Sequence, residues 1–185
     1  MAQTPDRILD ELLVIGCQRG EARSFEKLVA RWHERLRRHA WYLTHDAEAS
    51  SEVVQEAWVE ITRSIGRLRE PTSFRGWAFR IVSNKAADWM RSRQRQRSLQ
   101  NELQQTHEES ATQLETEDRG SRVRRLIREL PSASRQILSM KYLDNLSTRE
   151  IATALDIPVG TVKSRLFHAR EQLREKLERT DDERS

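Results

Sequence analysis

The segment Leu130–Leu177, LPSASRQILSMKYLDNLSTREIATALDIPVGTVKSRLFHAREQLREKL, constrains this chain most, because it spells out two helices and the break between them. From about Pro158 onward, Val162, Leu166, Ala169, Leu173 and Leu177 recur at spacings of four, three, four and four, which puts them on one helical stripe. At about 100° per residue, Gly160, Ser164, His168 and Glu171 stand opposite that stripe. Thr161 and Phe167 lie near by, and Lys163, Arg165, Arg170 and Arg174 run along the flanks. The preceding helix starts at Ser147-Thr148-Arg149-Glu150, a capping box in which Ser147 and Glu150 satisfy each other's backbone amides. Ile151, Ala152 and Leu155 form its inner face. Asp156-Ile157-Pro158 supplies the break, and Pro158 is tolerated at a helix start because its missing amide hydrogen needs no partner there. Such a pair docks its second helix in the major groove of DNA, where phosphates line the walls and base edges form the floor. Lys163, Arg165 and Arg170 then meet phosphates, while Ser164, Phe167 and His168, with Thr161 beside them, reach bases. The competing reading is an amphipathic hairpin with a solvated charged face.

Charged residues make up 34% of the 185, against only six glycines and four prolines, a balance that favours helices over strands. The hydrophobic fraction of 36% is low for one large core and suits two small all-α domains, each burying a thin stripe. The expected division is an amino-terminal helical domain over 1–97, a flexible acidic linker over 98–120 and the helix–turn–helix domain over 121–185. Net charge is only +4, yet it is segregated. Ten basic residues from Arg63 to Arg97 face only Glu70 and Asp88, a balance of +8, whereas Ser98 to Gly120 carries six acids against Arg119, a balance of −5. That second stretch is rich in Gln, Glu, Ser and Thr, with Leu99, Leu103 and Leu114 as its sizeable apolar residues, and cannot build a core. DNA would repel it; it fits a basic groove of a partner protein, or acts as a passive spacer.

The single cysteine, Cys17, excludes an intrachain disulfide and a cysteine-based zinc site, and its neighbours Leu12, Leu13, Val14 and Ile15 mark it as a small core residue. With no signal-peptide core at the amino terminus, the expectation is a reducing, cytoplasmic setting. No apolar run approaches the length that spans a bilayer, so direct membrane insertion is not expected. The five histidines, His33, His39, His45, His107 and His168, are dispersed, without an HExxH pattern or paired carboxylates. No metal site, cofactor, small-molecule substrate or catalytic residue is therefore expected, which speaks against a nuclease. His33 and His39 read as helix-surface residues.

Ahead of the helix–turn–helix, an apolar helix runs to about Gly20, and Phe25, Leu28, Val29, Trp32, Leu36 and Tyr42 continue the same core on a second. After Thr44-His45-Asp46 a third helix is expected through Ile65, with Val53, Val54, Ala57, Trp58, Ile61 and Ile65 inward and Glu52, Gln55, Glu56, Glu60 and Arg63 outward. Pro71-Thr72-Ser73 breaks the chain, and Ser73 is placed to cap a helix from Phe74 to about Arg95. On that helix Ala78, Phe79, Val82, Ala86, Trp89 and Met90 share one side, and Arg80, Asn84, Asp88, Arg91 and Arg95 the other. Trp77 and Ile81 fall on the polar side. A basic helix that displays an aromatic ring binds single-stranded or partly melted DNA, its arginines meeting phosphates and its ring an unstacked base. Alternatively, Trp77 and Ile81 simply pack against the amino-terminal helices.

Two sets of residues together resemble bacterial sigma factors of the extracytoplasmic-function group, the smallest members of the sigma-70 family that directs RNA polymerase to promoters. Leu130-Pro131, Arg135, Glu150-Ile151-Ala152, Gly160-Thr161-Val162-Lys163-Ser164-Arg165-Leu166 and Ala169-Arg170 are similar to the family's fourth conserved region. Glu52-Val53-Val54-Gln55-Glu56 resembles the helix that grips the polymerase's largest subunit, and Phe74-Arg75-Gly76-Trp77 with Ile81, Asn84, Asp88 and Arg91 resembles the loop and helix that melt and capture the downstream promoter element. The carboxy-terminal motif alone is shared loosely with response-regulator DNA-binding domains; its ordered combination with the amino-terminal half is specific.

The resemblance implies a non-catalytic promoter-specificity subunit whose partners are core RNA polymerase, promoter DNA and an anti-sigma protein. It implies docking through Glu52, Gln55 and Glu56, and capture of opened DNA by the loop from Arg69 to Ser73 with Arg75, Trp77, Arg80, Asn84, Asp88 and Arg91. Upstream recognition falls to Thr161, Lys163, Ser164, Arg165, Phe167, His168 and Arg170. Binding of flipped bases offsets the few kcal/mol lost in unstacking each, so opening needs no ATP. It also implies that the acidic linker threads the polymerase's RNA exit path. Glu52 stands where the family commonly has aspartate, and His168 where many members carry arginine, which leaves the upstream base preference open. The rival reading is a free-standing dimeric helix–turn–helix regulator that binds duplex DNA without polymerase.

Overall fold

The computed structural model describes residues 5–100, 126–127 and 129–182, and every regular element among them is helical. Four helices, α1 (Pro5–Gln18), α2 (Ala22–Thr44), α3 (Ala47–Ser64) and α4 (Phe74–Gln100), form the amino-terminal part. Helix α5 (Ser132–Leu138), a π-helical turn over Ser139–Leu143, α6 (Thr148–Leu155) and α7 (Val159–Asp182) form the carboxy-terminal part. None of the described helices is long and apolar enough to cross a membrane. Helix α4 runs to Gln100, three residues into the stretch expected as linker, and 101–120 lies outside the described residues.

Local chemistry sets the helix boundaries. Asp46 accepts a hydrogen bond from the Ala49 amide at 3.0 Å and so caps α3. His45, just before it, closes α2 in the left-handed region at φ 56°. Ser73 does not extend α4 but ends a short 3₁₀ turn, Pro71–Ser73, where its hydroxyl donates back to the Glu70 carbonyl. The capping box of α6 forms as expected: the Glu150 amide donates to Ser147 Oγ at 3.2 Å, and the Ser147 amide to Glu150 Oε2 at 2.6 Å. Asp156 terminates α6 at φ 55°, and the Ile157 amide then returns to the Ala152 carbonyl, satisfying groups that the helix end leaves open.

The core around Leu28, Trp32, Leu36, Val54, Ala57, Ile61, Phe74, Phe79 and Val82 is fully excluded from solvent. The Trp32 ring meets Phe74 and Phe79 edge to face, at 5.8 and 6.3 Å between centroids. Burying each such side chain contributes roughly 1.5–3 kcal/mol. The inward residues read for α3, from Val53 to Ile65, are all buried; on α4, Ala78, Phe79, Val82 and Ala86 are buried, Trp89 is half-buried and Met90 is exposed. Cys17 packs half-buried against this core, and burial pushes its thiol pKa up. His39 is a correction: far from being a surface residue it is completely buried, its Nε2 3.0 Å from Ser83 Oγ and its ring centroid 4.9 Å from that of Phe79. Burial pushes its pKa down to about 3, so the imidazole is neutral.

The apolar cluster continues without interruption into Ile127, Leu130, Ile137, Leu138, Met140, Leu146, Ile151, Val162, Leu166 and Ala169. Helix α6 lies against α4, and α5 packs on both α7 and α2. This contact refines the inner face read for α6. Ile151 and Ala154 are its buried residues, while Ala152 and Leu155 are half-buried against the cluster that includes α4.

Candidate nucleic-acid interface

Helix α7 owes its orientation to Val162, Leu166 and Ala169, which are at most 2% exposed, with Leu173 and Leu177 half-buried further along. That fixes the opposite face. Lys163, Ser164, Arg165, Phe167, His168 and Arg170 are all exposed, and Thr161 is intermediate. Phe167 is 60% exposed, a large apolar ring held in water beside the His168 ring, the centroids 5.6 Å apart in an edge arrangement. Ser164 donates its hydroxyl to the Thr161 carbonyl, and Arg170 Nε donates to the Leu166 carbonyl, which stiffens its stem along the helix. Arg174 turns to Glu171 at 2.7 Å, so its charge is shared at the far end of the face. At the entry, Gly160 has open space where a Cβ would stand. The arrangement presents cations at the edges and small or flat side chains between them, the distribution that phosphate walls and a base-pair floor require.

The residues read for opened downstream DNA are not brought together in the same way. Arg69, Asn84, Asp88 and Arg91 are exposed, although Arg91 pairs with Asp88 on its own helix. Ser73 is intermediate, and Trp77 is half-buried, 6.2 Å from Phe74 between ring centroids, with Ile81 also against the core. Arg75 departs from its assignment: it is 7% exposed, its Nε and Nη2 donate to Asp10 Oδ2 at 3.1 and 2.8 Å, and its guanidinium lies over the Trp32 ring at 5.2 Å. A charge this deep and this well paired belongs to the frame, not to a DNA surface. Arg80 Nη2 donates to Asp156 of the carboxy-terminal part at 2.9 Å.

Asp10 is the residue that sequence reasoning missed. It is 3% exposed and accepts from Arg75, Arg31 Nε at 3.1 Å and Trp32 Nε1 at 3.1 Å. Its signal was present, since Asp10 falls on the same stripe of α1 as Leu13 and Val14, and a carboxylate at a core position demands partners.

On α3, Glu52, Gln55, Glu56 and Glu60 are exposed around Val59, which is itself 46% exposed. Lys85 Nζ approaches Glu56 at 3.5 Å. The result is an acidic ridge with an apolar centre, on the side of α3 opposite the buried Val53, Val54, Ala57 and Trp58. Among the described residues no group of three or more His, Cys, Asp or Glu is arranged to hold a metal ion.

Residues 28–96 match the family described as Sigma-70 region 2, and residues 121–173 match Sigma-70, region 4. Over 181 residues the chain is 30% identical to the RNA polymerase sigma-H factor of Pseudomonas aeruginosa, covering 91% of this chain and 94% of that protein. It belongs to the RNA polymerase sigma factors. The ECF RNA polymerase sigma-E factor of Escherichia coli is a further sigma relative, 29% identical over 185 residues that cover 94% of this chain and 96% of that one. Among solved sigma structures, CnrH in complex with the cytosolic domain of CnrY aligns with a TM-score of 0.66 at 27% identity, over 92% of this chain and 97% of that one. The fold is also shared with the sigma factor RpoE in complex with the anti-sigma factor NepR from Bartonella quintana, at a TM-score of 0.70 and 18% identity over 85% and 98% of the two chains.

Proposed function

We propose that this chain is the promoter-specificity subunit of RNA polymerase in its cell, with one surface for each of three partners. The acidic ridge Glu52, Gln55 and Glu56 docks on core polymerase. Arg69, Ser73, Trp77, Arg80, Asn84, Asp88 and Arg91 engage the opened downstream element. Thr161, Lys163, Ser164, Arg165, Phe167, His168 and Arg170 read the upstream element in duplex form. Arg75, although it lies within the downstream motif, holds α4 to α1 through Asp10. The working units are 1–97 and 121–185, with 98–120 as the tether. The chain acts in the cytoplasm, performs no catalysis of its own and is held in reserve by an anti-sigma protein, as the two solved relatives found with such partners exemplify.

The observation that carries this reading is the face of α7: three buried side chains turn a set of cations and base-sized groups outward in a chain that matches sigma factors in both halves. A dimeric regulator that ignores polymerase accounts for α7 but leaves the ridge on α3 without a purpose.

Run-off transcription with purified core polymerase on random promoter fragments tests the reading directly. The chain confers initiation at a defined subset, and reversing both charges, Glu52→Lys with Glu56→Lys, abolishes association with core while the circular dichroism spectrum stays helical. Tight operator binding by the chain alone, with no effect on core, rejects the proposal.

A further inference from the structure

We infer that the free chain is closed on itself, with α6 seated on the amino-terminal half of α4 so that part of the surface meant for opened DNA is withheld until the two helices part. The inference rests on the assignment of α4 to that DNA. Three ion pairs cross the contact, and all have the same polarity. Arg7 Nη2 donates to Glu150 Oε2 at 2.9 Å, Arg38 Nη2 to Asp144 Oδ1 at 2.6 Å and Arg80 Nη2 to Asp156 Oδ2 at 2.9 Å. Each guanidinium comes from the amino-terminal helices and each carboxylate from the helix–turn–helix part. A run of carboxylates laid on the basic side of a DNA-binding unit occupies the positions that phosphates would take.

The backbones meet as closely as the charges. At Gly76 a Cβ would stand 2.8 Å from the Glu150 carbonyl oxygen and 3.2 Å from Thr153 Cβ, so glycine is what allows α6 to lie this near. Trp77 and Ile81 of α4, and Ala152, Leu155 and Ile157 at the end of α6, are all half-buried against one apolar cluster. Closure affects one nucleic-acid surface and spares the others: the reading face of α7 and the ridge of α3 remain in solvent. Polymerase and duplex DNA thus find their surfaces open while single-stranded DNA does not.

The pairs contribute unequally. Arg80 and Asp156 are 43% and 73% exposed, so water screens their attraction, and the pair matters by occupying Arg80. Glu150 and Asp144 are 11% and 0% exposed, and their arginines are what make burying them tolerable. Removing those arginines therefore opens the contact without touching α4 or α7.

The test is the pair Arg7→Glu with Arg38→Glu in the full chain, probed with a labelled pool of random-sequence single-stranded DNA. Ordinary electrostatics predicts weaker binding, because four units of positive charge are lost. Closure predicts the reverse. If about nine in ten free molecules are closed, opening raises the apparent affinity about tenfold. Donor and acceptor dyes at Lys27 and Glu175, in a background with Cys17→Ser, lose energy transfer in the opened variant. Unchanged or weaker DNA binding with unchanged energy transfer overturns closure while leaving core-dependent transcription, and so the proposed function, intact. Failure of both chains to support transcription with core overturns the assignment of α4, and with it this inference. Should the reversed pair prove unfolded by circular dichroism, Arg7→Gln with Arg38→Gln carries the same expectations.

Discussion

On α7 the side chains read as DNA contacts stand in solvent or at its edge, whereas on α4 the corresponding set is divided: Arg75 is buried, Arg80 is held by Asp156, and Asn84, Asp88 and Arg91 are exposed. The two helices carry similar basic patterns. What separates them is where their acids lie. The acid for Arg75 is 65 residues away in sequence and that for Arg80 is 76 away, whereas the cations of α7 meet acids only towards its far end, as Arg174 does with Glu171. A basic stripe is therefore a nucleic-acid surface only after the rest of the chain has taken its share.

The largest effect that sharpens this contrast belongs to Asp10. Asp10→Ala leaves the Arg75 guanidinium buried without its partner and lowers stability by roughly 3–5 kcal/mol, measured as a shift in the urea unfolding midpoint. Asp10→Ala with Arg75→Ala recovers part of that loss, since the two residues interact directly. If Arg75 instead served DNA, Asp10→Ala would leave the midpoint in place and Arg75→Ala would change only promoter affinity.

Next comes the underside of α4, where His39 meets Ser83. Its folded pKa of about 3 lies below the ordinary value of 6.5, so the unfolded chain takes up a proton that the folded chain refuses. Its contribution to stability is present above pH 6.5 and is lost as pH falls towards 3. Asp144 has the opposite sign: burial, opposed by Arg38, raises its pKa to about 6, so its cost is full above pH 6 and shrinks as pH falls towards 3.8. The difference in stability between the wild type and His39→Gln should therefore change in favour of the variant by roughly 3 kcal/mol from pH 6.5 to pH 4. A difference that stays constant with pH would place a charged or hydrated imidazole at this site.

The smallest effects divide the face of α7. Lys163→Ala weakens binding to all promoters about equally and lowers the salt dependence by about one phosphate contact, whereas His168→Ala or Ser164→Ala changes which bases are preferred, by about 1–3 kcal/mol at the affected position. Quantitative binding of the polymerase–sigma complex to a promoter library at two salt concentrations separates the outcomes. A change of sequence preference from Lys163→Ala breaks the division between edge and floor.

The helix–turn–helix was legible because its signals are local. Ser147 and Glu150 are three residues apart, Asp156 and Pro158 mark one turn, and Val162, Leu166 and Ala169 repeat within a single helix. The ridge of α3 was legible for the same reason, since Val53, Val54 and Ala57 fix where Glu52 and Glu56 point. Arg75 and His39 were misjudged because their surroundings come from other helices. Nothing near Arg75 in sequence announces Asp10, and nothing near His39 announces Phe79 and Ser83. The Ala152 and Leu155 side of α6 was read as facing its own unit, when its burial also reflects α4, a neighbour that a helical wheel cannot supply.

One oxygen, Glu150 Oε2, accepts both the amide of Ser147 and the guanidinium of Arg7. The amide bond is internal to the helix start and survives when Arg7 departs. The reading module can consequently swing away from its neighbour without fraying at its own first turn, so the clasp and the tool it restrains are built to fail independently.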